Sequence, residues 1–155
     1  MMRVGVFSDT HGNLVRLSSA SIQAGKLDLF FHLGDFSSDA TLIATQLNVP
    51  YFAVRGNCDY GSNAPREKIV TLENTSILLV HGDAFRDTYQ LACAAEVNHC
   101  DAVLFGHSHV PLLTAQGPLL ICNPGSLSLP RHSSAPSFAV LSIDGKDIDI
   151  KLISL

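Results

Sequence analysis

Residues 3–11, Arg-Val-Gly-Val-Phe-Ser-Asp-Thr-His, join a short apolar run to a carboxylate and an imidazole. An apolar run of this length, closed by turn residues, is typical of a buried β-strand. Four more apolar runs along the chain likewise end in polar residues that could bind a metal ion. The five predicted strands are Arg3–Ser8, Asp28–Leu33, Tyr51–Arg55, Ser76–His81 and Asp101–Phe105. Their repetition predicts one crevice in which polar groups gather beyond the carboxyl ends of the strands.

Amphipathic stretches between these strands predict three helices, which together with the strands favour an α/β layered fold. The helices are Asn13–Gly25, Ser38–Leu47 and Thr88–His99. After residue 110, glycine and proline punctuate shorter β-rich runs at Leu119–Cys122, Ser137–Ile143 and Asp147–Ile153. The last two flank Asp144-Gly145, a strong hairpin turn signal. We therefore predict a single domain, residues 1–155, in which the late strands form a second, largely antiparallel sheet stacked on the first.

The composition indicates a compact domain and argues against two other classes of protein. Hydrophobic residues make up 46% of the 155 residues and charged residues 15%, which leaves little room for disorder. The formal net charge of −4 argues against broad nucleic-acid binding. No apolar run is long enough to span a bilayer and the N-terminus lacks a secretory signal, so we expect no membrane association and a cytoplasmic location. The four cysteines include no Cys-x-x-Cys pair, so neither a disulfide framework nor a thiolate zinc site is expected.

The polar groups that close the five strands suit one chemistry. Imidazole and carboxylate ligands together suit Zn²⁺, Mn²⁺ and Fe²⁺, and a shared carboxylate can bridge two ions. In Asp9-Thr10-His11 and in His107-Ser108-His109, alternate residues can point to the same side of an extended strand end. Any one of these carboxylates could instead cap a turn. Because all five segments occur in order, each after an apolar run, the set predicts a metal centre.

The five segments resemble the signature blocks of the calcineurin-like metallophosphoesterase superfamily, most closely its small YfcE-type phosphodiesterases. The resemblance covers residues 3–131 and includes Asn123-Pro124-Gly125-Ser126. It implies a four-layer αββα sandwich of two mixed β-sheets flanked by helices. It also implies two divalent metal ions, with Mn²⁺ favoured over Ni²⁺, Fe²⁺, Zn²⁺ or Mg²⁺. The first ion would be held by Asp9, His11, Asp35 and His109, and the second by Asp35, Asn57, His81 and His107.

The resemblance further implies hydrolysis of a small phosphate ester by a metal-bound hydroxide, with a phosphodiester favoured. Asp35, Asn57 and Asp59 are the expected catalytic residues; we expect Asp59 to orient a histidine by accepting its second N–H. Asn57 could instead be an ordinary left-handed turn residue. Arg55 and Arg131 could each bind the substrate phosphate or be solvated charges. Where many relatives carry a histidine as general acid this chain has Cys58, which indicates weak leaving-group protonation.

Other interpretations stay open at this point. A binding or scaffold protein could keep the same fold without turnover, as in the retromer-subunit branch that the chain also resembles. A nuclease would need a basic track, which the acidic-leaning chain lacks. The segment Tyr60–Glu73 is the only obvious place for a substrate-covering element, and the β-rich C-terminal part could pair into a homo-oligomer. His32, which alternates with apolar neighbours, is expected to be a core histidine.

Overall fold

The computed structural model describes residues 1–155 and contains three helices and ten strands. The helices are α1 (Leu14–Ala24), α2 (Asp39–Leu47) and α3 (Thr88–Val97). The strands before residue 110 are β1 (Met2–Phe7), β2 (Leu29–His32), β3 (Tyr51–Ala53), β4 (Glu67–Leu72), β5 (Thr75–Val80) and β6 (Ala102–Leu104). Those after it are β7 (Leu112–Gln116), β8 (Leu119–Asn123), β9 (Ser137–Asp144) and β10 (Asp147–Ser154). All predicted helices and strands are confirmed to within a few residues.

The strands form two mixed five-stranded sheets. The first sheet has the order β10-β9-β1-β2-β3, and the second has the order β4-β5-β6-β8-β7. In the first sheet β1, β2 and β3 are parallel, while β9 runs antiparallel to β1 and to β10. In the second sheet β5, β6 and β8 are parallel, and β4 and β7 are antiparallel edges.

The predicted division of strands between the sheets is wrong. The five early strands do not share a sheet, because the β4–β5 hairpin starts the second sheet and β6 joins it. The late strands do not form a sheet of their own either. Nearly every residue of β9 is buried, so β9 requires cover on both faces and lies next to β1 inside the first sheet. The tight turn at Gly145 then places β10 beside it as the edge strand.

Three apolar clusters hold the layers together and confirm the αββα sandwich. The largest lies between the sheets and includes Val6, Phe31 and Leu79. A second packs α1 and α2 on the outer face of the first sheet around Phe7 and Ile43. The third packs α3 on the outer face of the second sheet. None of the three helices combines the length and the hydropathy that crossing a membrane requires.

Local signals in the sequence set the helix ends but missed two strands. The side chain of Asn13 accepts a hydrogen bond from the backbone N–H of Arg16, as an N-cap does, and Gly25 ends α1 with a φ of 69°. The second half of Tyr60–Glu73 cannot be a substrate-covering element, because Glu67–Leu72 is β4 and pairs with β5. Only residues 60–66 are a free loop. The edge strand β7 also went unpredicted, because few of its side chains are buried.

Candidate metal centre

The predicted ligand residues converge where the two sheets meet. Four follow strands of the first sheet and three follow strands of the second. Those after β1, β2 and β3 are Asp9, His11, Asp35 and Asn57, and those after β5 and β6 are His81, His107 and His109. A hydrogen bond joins the loops of the two sheets at this edge: the Asp9 carboxylate accepts from the backbone N–H of His107 (3.1 Å).

The first group comprises Asp9, His11, Asp35 and His109. One ligand atom from each of these residues lies within 4.8 Å of all the others. The His109 Nε2 lies 3.2 Å from the Asp9 Oδ1, and the His11 Nε2 lies 3.8 Å from the Asp35 Oδ2. These four residues are the set expected for the first ion, and the spacing is short enough for one cation to contact them all.

The second group surrounds the amide oxygen of Asn57. The His81 Nε2 and the His107 Nδ1 each lie 3.1 Å from the Asn57 Oδ1. The His81 Nε2 also lies 3.4 Å from the Asp35 Oδ1. Asp35 therefore turns one oxygen toward His11 in the first group and the other toward His81 in the second, as a bridging carboxylate would.

Backbone carbonyls fix the orientation of two of the imidazoles. The Nδ1–H of His81 donates to the carbonyl oxygen of Leu33, and that of His109 donates to the carbonyl oxygen of Leu129, each at 2.7 Å. A neutral imidazole that donates through Nδ1 has its lone pair on Nε2. Both rings consequently present Nε2 lone pairs to the cluster, which is the form that a metal ion requires.

The expectation that Asp59 orients a histidine is wrong. Its Oδ2 accepts from the backbone N–H groups of Asp35 (2.9 Å) and Gly56 (2.8 Å), and its Oδ1 accepts from that of Ser37 (2.8 Å). His81 and His109 are oriented by carbonyl oxygens instead. Asp59 holds the loop after β2 against the loop after β3 and is a positioning residue for the Asp35 backbone.

The cluster contains buried oxygen and nitrogen atoms whose lone pairs accept no hydrogen bond, and such atoms suit a cation. The Asp9 Oδ1 and the His11 Nε2 are buried and have no hydrogen-bond partner. Although burial opposes ionisation, His81 and the Cys58 N–H hold the pKa of Asp35 well below its usual range. The nearby carboxylate of Asp9 raises the pKa of His109, despite the burial of the ring. Without a metal ion the raised pKa favours a proton on the ring of His109. The same imidazole lone pair, together with the carboxylates, suits Zn²⁺, Mn²⁺ or a similar ion.

Glycines leave the space that the carboxylates occupy. A Cβ on Gly56 would lie 2.7 Å from the Asp35 backbone nitrogen and would overlap the Asp35 carboxylate. A Cβ on Gly106 would lie 2.8 Å from the Asp9 Oδ2. Real Cβ atoms do not approach so closely, so both positions require glycine.

The ligand loops also share an uncommon backbone conformation. Five of the ligand residues have a positive φ, although none is a glycine: Asp9 (52°), His11 (45°), Asp35 (55°), His107 (66°) and His109 (59°). Such residues cost of order 1–3 kcal/mol each and persist where the surrounding structure imposes them, often at functional sites. Asn57 is absent from this set, so the alternative interpretation of Asn57 as a left-handed turn residue is wrong.

The two predicted substrate-binding arginines border the cluster without touching its ligand side chains. The Arg55 Nη1 donates to the carbonyl oxygen of Ser62 (3.4 Å), and its Nε is buried without a partner. Arg131 is exposed, and its backbone N–H donates to the carbonyl oxygen of His109 (3.2 Å). The positive charge of Arg131 acts against the rise in the pKa of His109. Arg131 is therefore close enough to influence the cluster electrostatically.

Residues that the sequence analysis missed support the loop between β1 and α1. The hydroxyl of Thr10 donates to Asp39 (2.6 Å) and lies 3.0 Å from the Nε2 of His32. The hydroxyls of Ser126 and Ser128 both donate to the Asp9 carbonyl oxygen, at 2.8 and 3.1 Å. No sequence signal marked Asp39, because an acidic residue in the first turn of a helix is common. The prediction that His32 is a core histidine is confirmed.

Comparisons with known proteins agree with this site. The family model described as the calcineurin-like phosphoesterase superfamily domain matches residues 2–146. The chain is 33% identical to a probable metallophosphoesterase of Methanothermobacter thermautotrophicus, covering 98% of this chain and 92% of the relative. It is 29% identical to the phosphodiesterase YfcE of Escherichia coli K12, covering 93% and 89%.

Solved structures share the fold over nearly the whole chain. A predicted phosphoesterase of Streptococcus pneumoniae superposes with a TM-score of 0.81 at 26% identity, covering 99% of this chain and 89% of the other. Vps29 of Entamoeba histolytica, in complex with Zn²⁺, superposes with a TM-score of 0.79 at 20% identity, covering 99% of each chain. At that identity the second likeness shows the fold alone. Given the match over residues 2–146 and the curated relatives, the chain belongs to the calcineurin-like phosphoesterase superfamily.

Proposed function

We propose that the chain is a metal-dependent phosphoesterase that hydrolyses a P–O ester bond, with a phosphodiester as the favoured substrate. One divalent ion would be held by Asp9, His11, Asp35 and His109, and a second by Asp35, Asn57, His81 and His107. The observation that carries this proposal is the pair of donor groups that share Asp35, with buried Asp9 and His11 atoms that have no partner. The expected activator, Mn²⁺, follows from the family resemblance.

When bound, such a pair of ions lowers the pKa of a shared water and polarises the phosphoryl oxygens. The chain itself supplies the placement of the charges. Asp9 and Asp35 contribute two negative charges, so two divalent ions would leave the cluster positive and attractive to an anionic phosphate. The carbonyls of Leu33 and Leu129 keep the imidazoles of His81 and His109 in the binding tautomer. Arg131 adds a positive charge beside His109, which supports its proposed role in binding the phosphate.

Protonation of the leaving group is the weak step of this site. Cys58 is exposed beside Asn57, and slight desolvation of its sulfur together with the carboxylate of Asp35 raises the pKa of its thiol. A neutral thiol is a poor proton donor at neutral pH and also a poor nucleophile. Solvent would therefore protonate the leaving oxygen, and we expect esters with good leaving groups to react fastest.

The test combines metal content with turnover. Purified protein is loaded with Mn²⁺, its bound metal is counted by elemental analysis, and hydrolysis of bis(p-nitrophenyl) phosphate is followed with and without chelator. We expect two ions per chain and chelator-sensitive hydrolysis, and Asp35→Asn should lose both together. The matched control Asp144→Asn removes an exposed carboxylate far from the site and should retain both. Near-native turnover of metal-loaded Asp35→Asn would contradict the proposal.

The similarity to Vps29 supports a second candidate, a non-catalytic binding protein on the same fold. Full metal loading without hydrolysis of any phosphodiester or phosphomonoester would favour it. The complete donor set favours turnover instead. A cytoplasmic location and assembly into a homo-oligomer stay predictions from the sequence.

A further inference from the structure

A recess of about 600 Å³ adjoins the metal centre on the side of Cys58. The same two loops form both sites, because Phe36 follows Asp35 and Cys58 follows Asn57. The ring of Phe36 lies 5.1 Å from the ring of His11, centroid to centroid. Small-molecule sites usually measure roughly 300–1,000 Å³, which is far more than a phosphate group needs. The recess therefore has room for an organic group attached to a phosphate held at the metal centre.

Aromatic side chains form the walls of this recess. Phe36, Tyr51 and Tyr60 line it, and their exposed fractions are 40%, 37% and 94%. Phe36 has a φ of 66°, which is costly for an aromatic residue. Its backbone strain is not offset by burial of the ring, because the ring stays partly open to solvent. A planar group in the recess would cover these faces and gain from stacking on them.

The lining of the recess carries one negative charge and no positive charge. No lysine or arginine lines the recess, and its only carboxylate is that of Asp59. That carboxylate already accepts hydrogen bonds from three backbone N–H groups. The remaining polar groups are hydroxyls, such as those of Ser37 and Ser62, which lie 3.2 Å apart. An anionic group would therefore lose its hydration here without gaining a counter-ion.

We propose that this recess binds the organic arm of the substrate, and that this arm has no negative charge and carries a planar aromatic ring. The inference rests on the proposed function, since it requires the phosphate to lie at the metal centre. It narrows the substrate class to aryl- or heteroaryl-bearing phosphate esters. It excludes esters whose arm carries a second phosphate or a carboxylate.

Non-hydrolysable phosphonates test the recess separately from turnover. Methylphosphonate, phenylphosphonate and 4-carboxyphenylphosphonate present the same head group and differ only in the arm. Their dissociation constants are measured by calorimetry with the Mn²⁺-loaded chain. We expect phenylphosphonate to bind about tenfold more tightly than methylphosphonate. The 4-carboxyphenyl compound should lose that gain.

Two variants fill the recess from opposite walls. Ser38 lines it, is exposed and makes no side-chain capping bond to α2, so Ser38→Trp removes no contact. Ala64→Trp fills it from the loop before β4. Each should bring phenylphosphonate down to the affinity of methylphosphonate and leave methylphosphonate within about twofold. The control Thr88→Trp narrows a smaller recess on the other side of His107 and should change neither value.

The outcomes separate the two proposals. Equal affinity for methyl- and phenylphosphonate, or loss of the preference in Thr88→Trp alone, would overturn the recess assignment while leaving the metal centre intact. Tighter binding of 4-carboxyphenylphosphonate than of phenylphosphonate would overturn the inference that the arm has no negative charge. Failure of the Mn²⁺-loaded chain to bind any phosphonate, together with failure to hydrolyse bis(p-nitrophenyl) phosphate, would instead refute the proposed function.

Discussion

Protonation of His32 is expected to weaken the fold between pH 6.5 and pH 4. The ring is fully buried behind the β1–α1 loop. Its Nδ1 accepts a hydrogen bond from the Gly34 N–H (3.2 Å), so its Nε2–H donates to the hydroxyl of Thr10, which in turn donates to Asp39. This chain of donors works only with a neutral imidazole, because a protonated ring would direct Nδ1–H at the Gly34 N–H.

The magnitude follows from the pKa of the buried ring. Burial lowers the pKa of His32 from 6.5 to about 4, and the nearby charges of Asp39 and Asp59 only partly oppose it. The unfolded chain therefore binds a proton that the folded chain does not bind in this pH range. The stability that the neutral His32 contributes is fully present above pH 6.5. As the pH decreases below this value, it is lost at about 1.4 kcal/mol per pH unit. The total loss by pH 4 is about 3 kcal/mol.

Urea unfolding in the presence of chelator measures this effect, with His32→Gln as the non-titrating reference. Subtracting the variant's free energy of unfolding from that of the wild type removes contributions from other titrating groups. The difference should fall by about 3 kcal/mol between pH 7 and pH 4. The control His99→Gln replaces an exposed histidine, and the fall expected for His32→Gln should be specific to the buried ring. A flat difference for His32→Gln would refute the neutral buried histidine.

Three further predictions concern the metal centre. Excess Mn²⁺ at about a hundred times its dissociation constant should raise the Tm by about 5–10 °C, and Asp9→Asn should lose most of the shift in a thermal melt. Gly56→Ala should abolish Mn²⁺ binding because its Cβ would displace Asp35, whereas Gly117→Ala, at an open turn, should leave binding unchanged in calorimetry. Cys58→His should raise kcat most for esters with poor leaving groups, and equal effects on good and poor leaving groups would reject weak proton donation as the limit.

The cluster of candidate metal ligands was predictable from the sequence because its signal is local. Each ligand follows an apolar run within a few residues, and a strand end can be read from such a run. Asp9, Asp35 and His81 could therefore be assigned to strand ends without knowing which strands pair. Parallel strands present their carboxyl ends at one edge whatever their order, so the convergence survived an incorrect division of the sheets. Predicting the ligand cluster required the positions of the strand ends and did not require knowing which strands pair with each other.

What the sequence did not predict depends on contacts between distant residues. The burial pattern of β9 calls for cover on both faces, but it does not say that β1 is the neighbour. Asp59 offered the same carboxylate to a histidine or to backbone N–H groups, and only the folded loops decide between them. The Asp39 side chain contacts Thr10 across 29 positions of sequence. A contact of this kind involves a single residue at each position, so it produces no repeating pattern in the sequence from which it could be predicted.

The position of the candidate metal centre between the sheets would couple metal binding to the packing of the two sheets. The first sheet supplies both carboxylates, and the second supplies His81, His107 and His109. Asp9 and Asp35 are almost fully buried at the edge where the apolar core between the sheets ends, and cations bound there would compensate their charges. Because the donors lie far apart in the unfolded chain, the free energy of metal binding adds directly to the free energy that holds the sheets together. Substitutions that loosen the contact between the sheets should therefore weaken metal binding even when every ligand is retained.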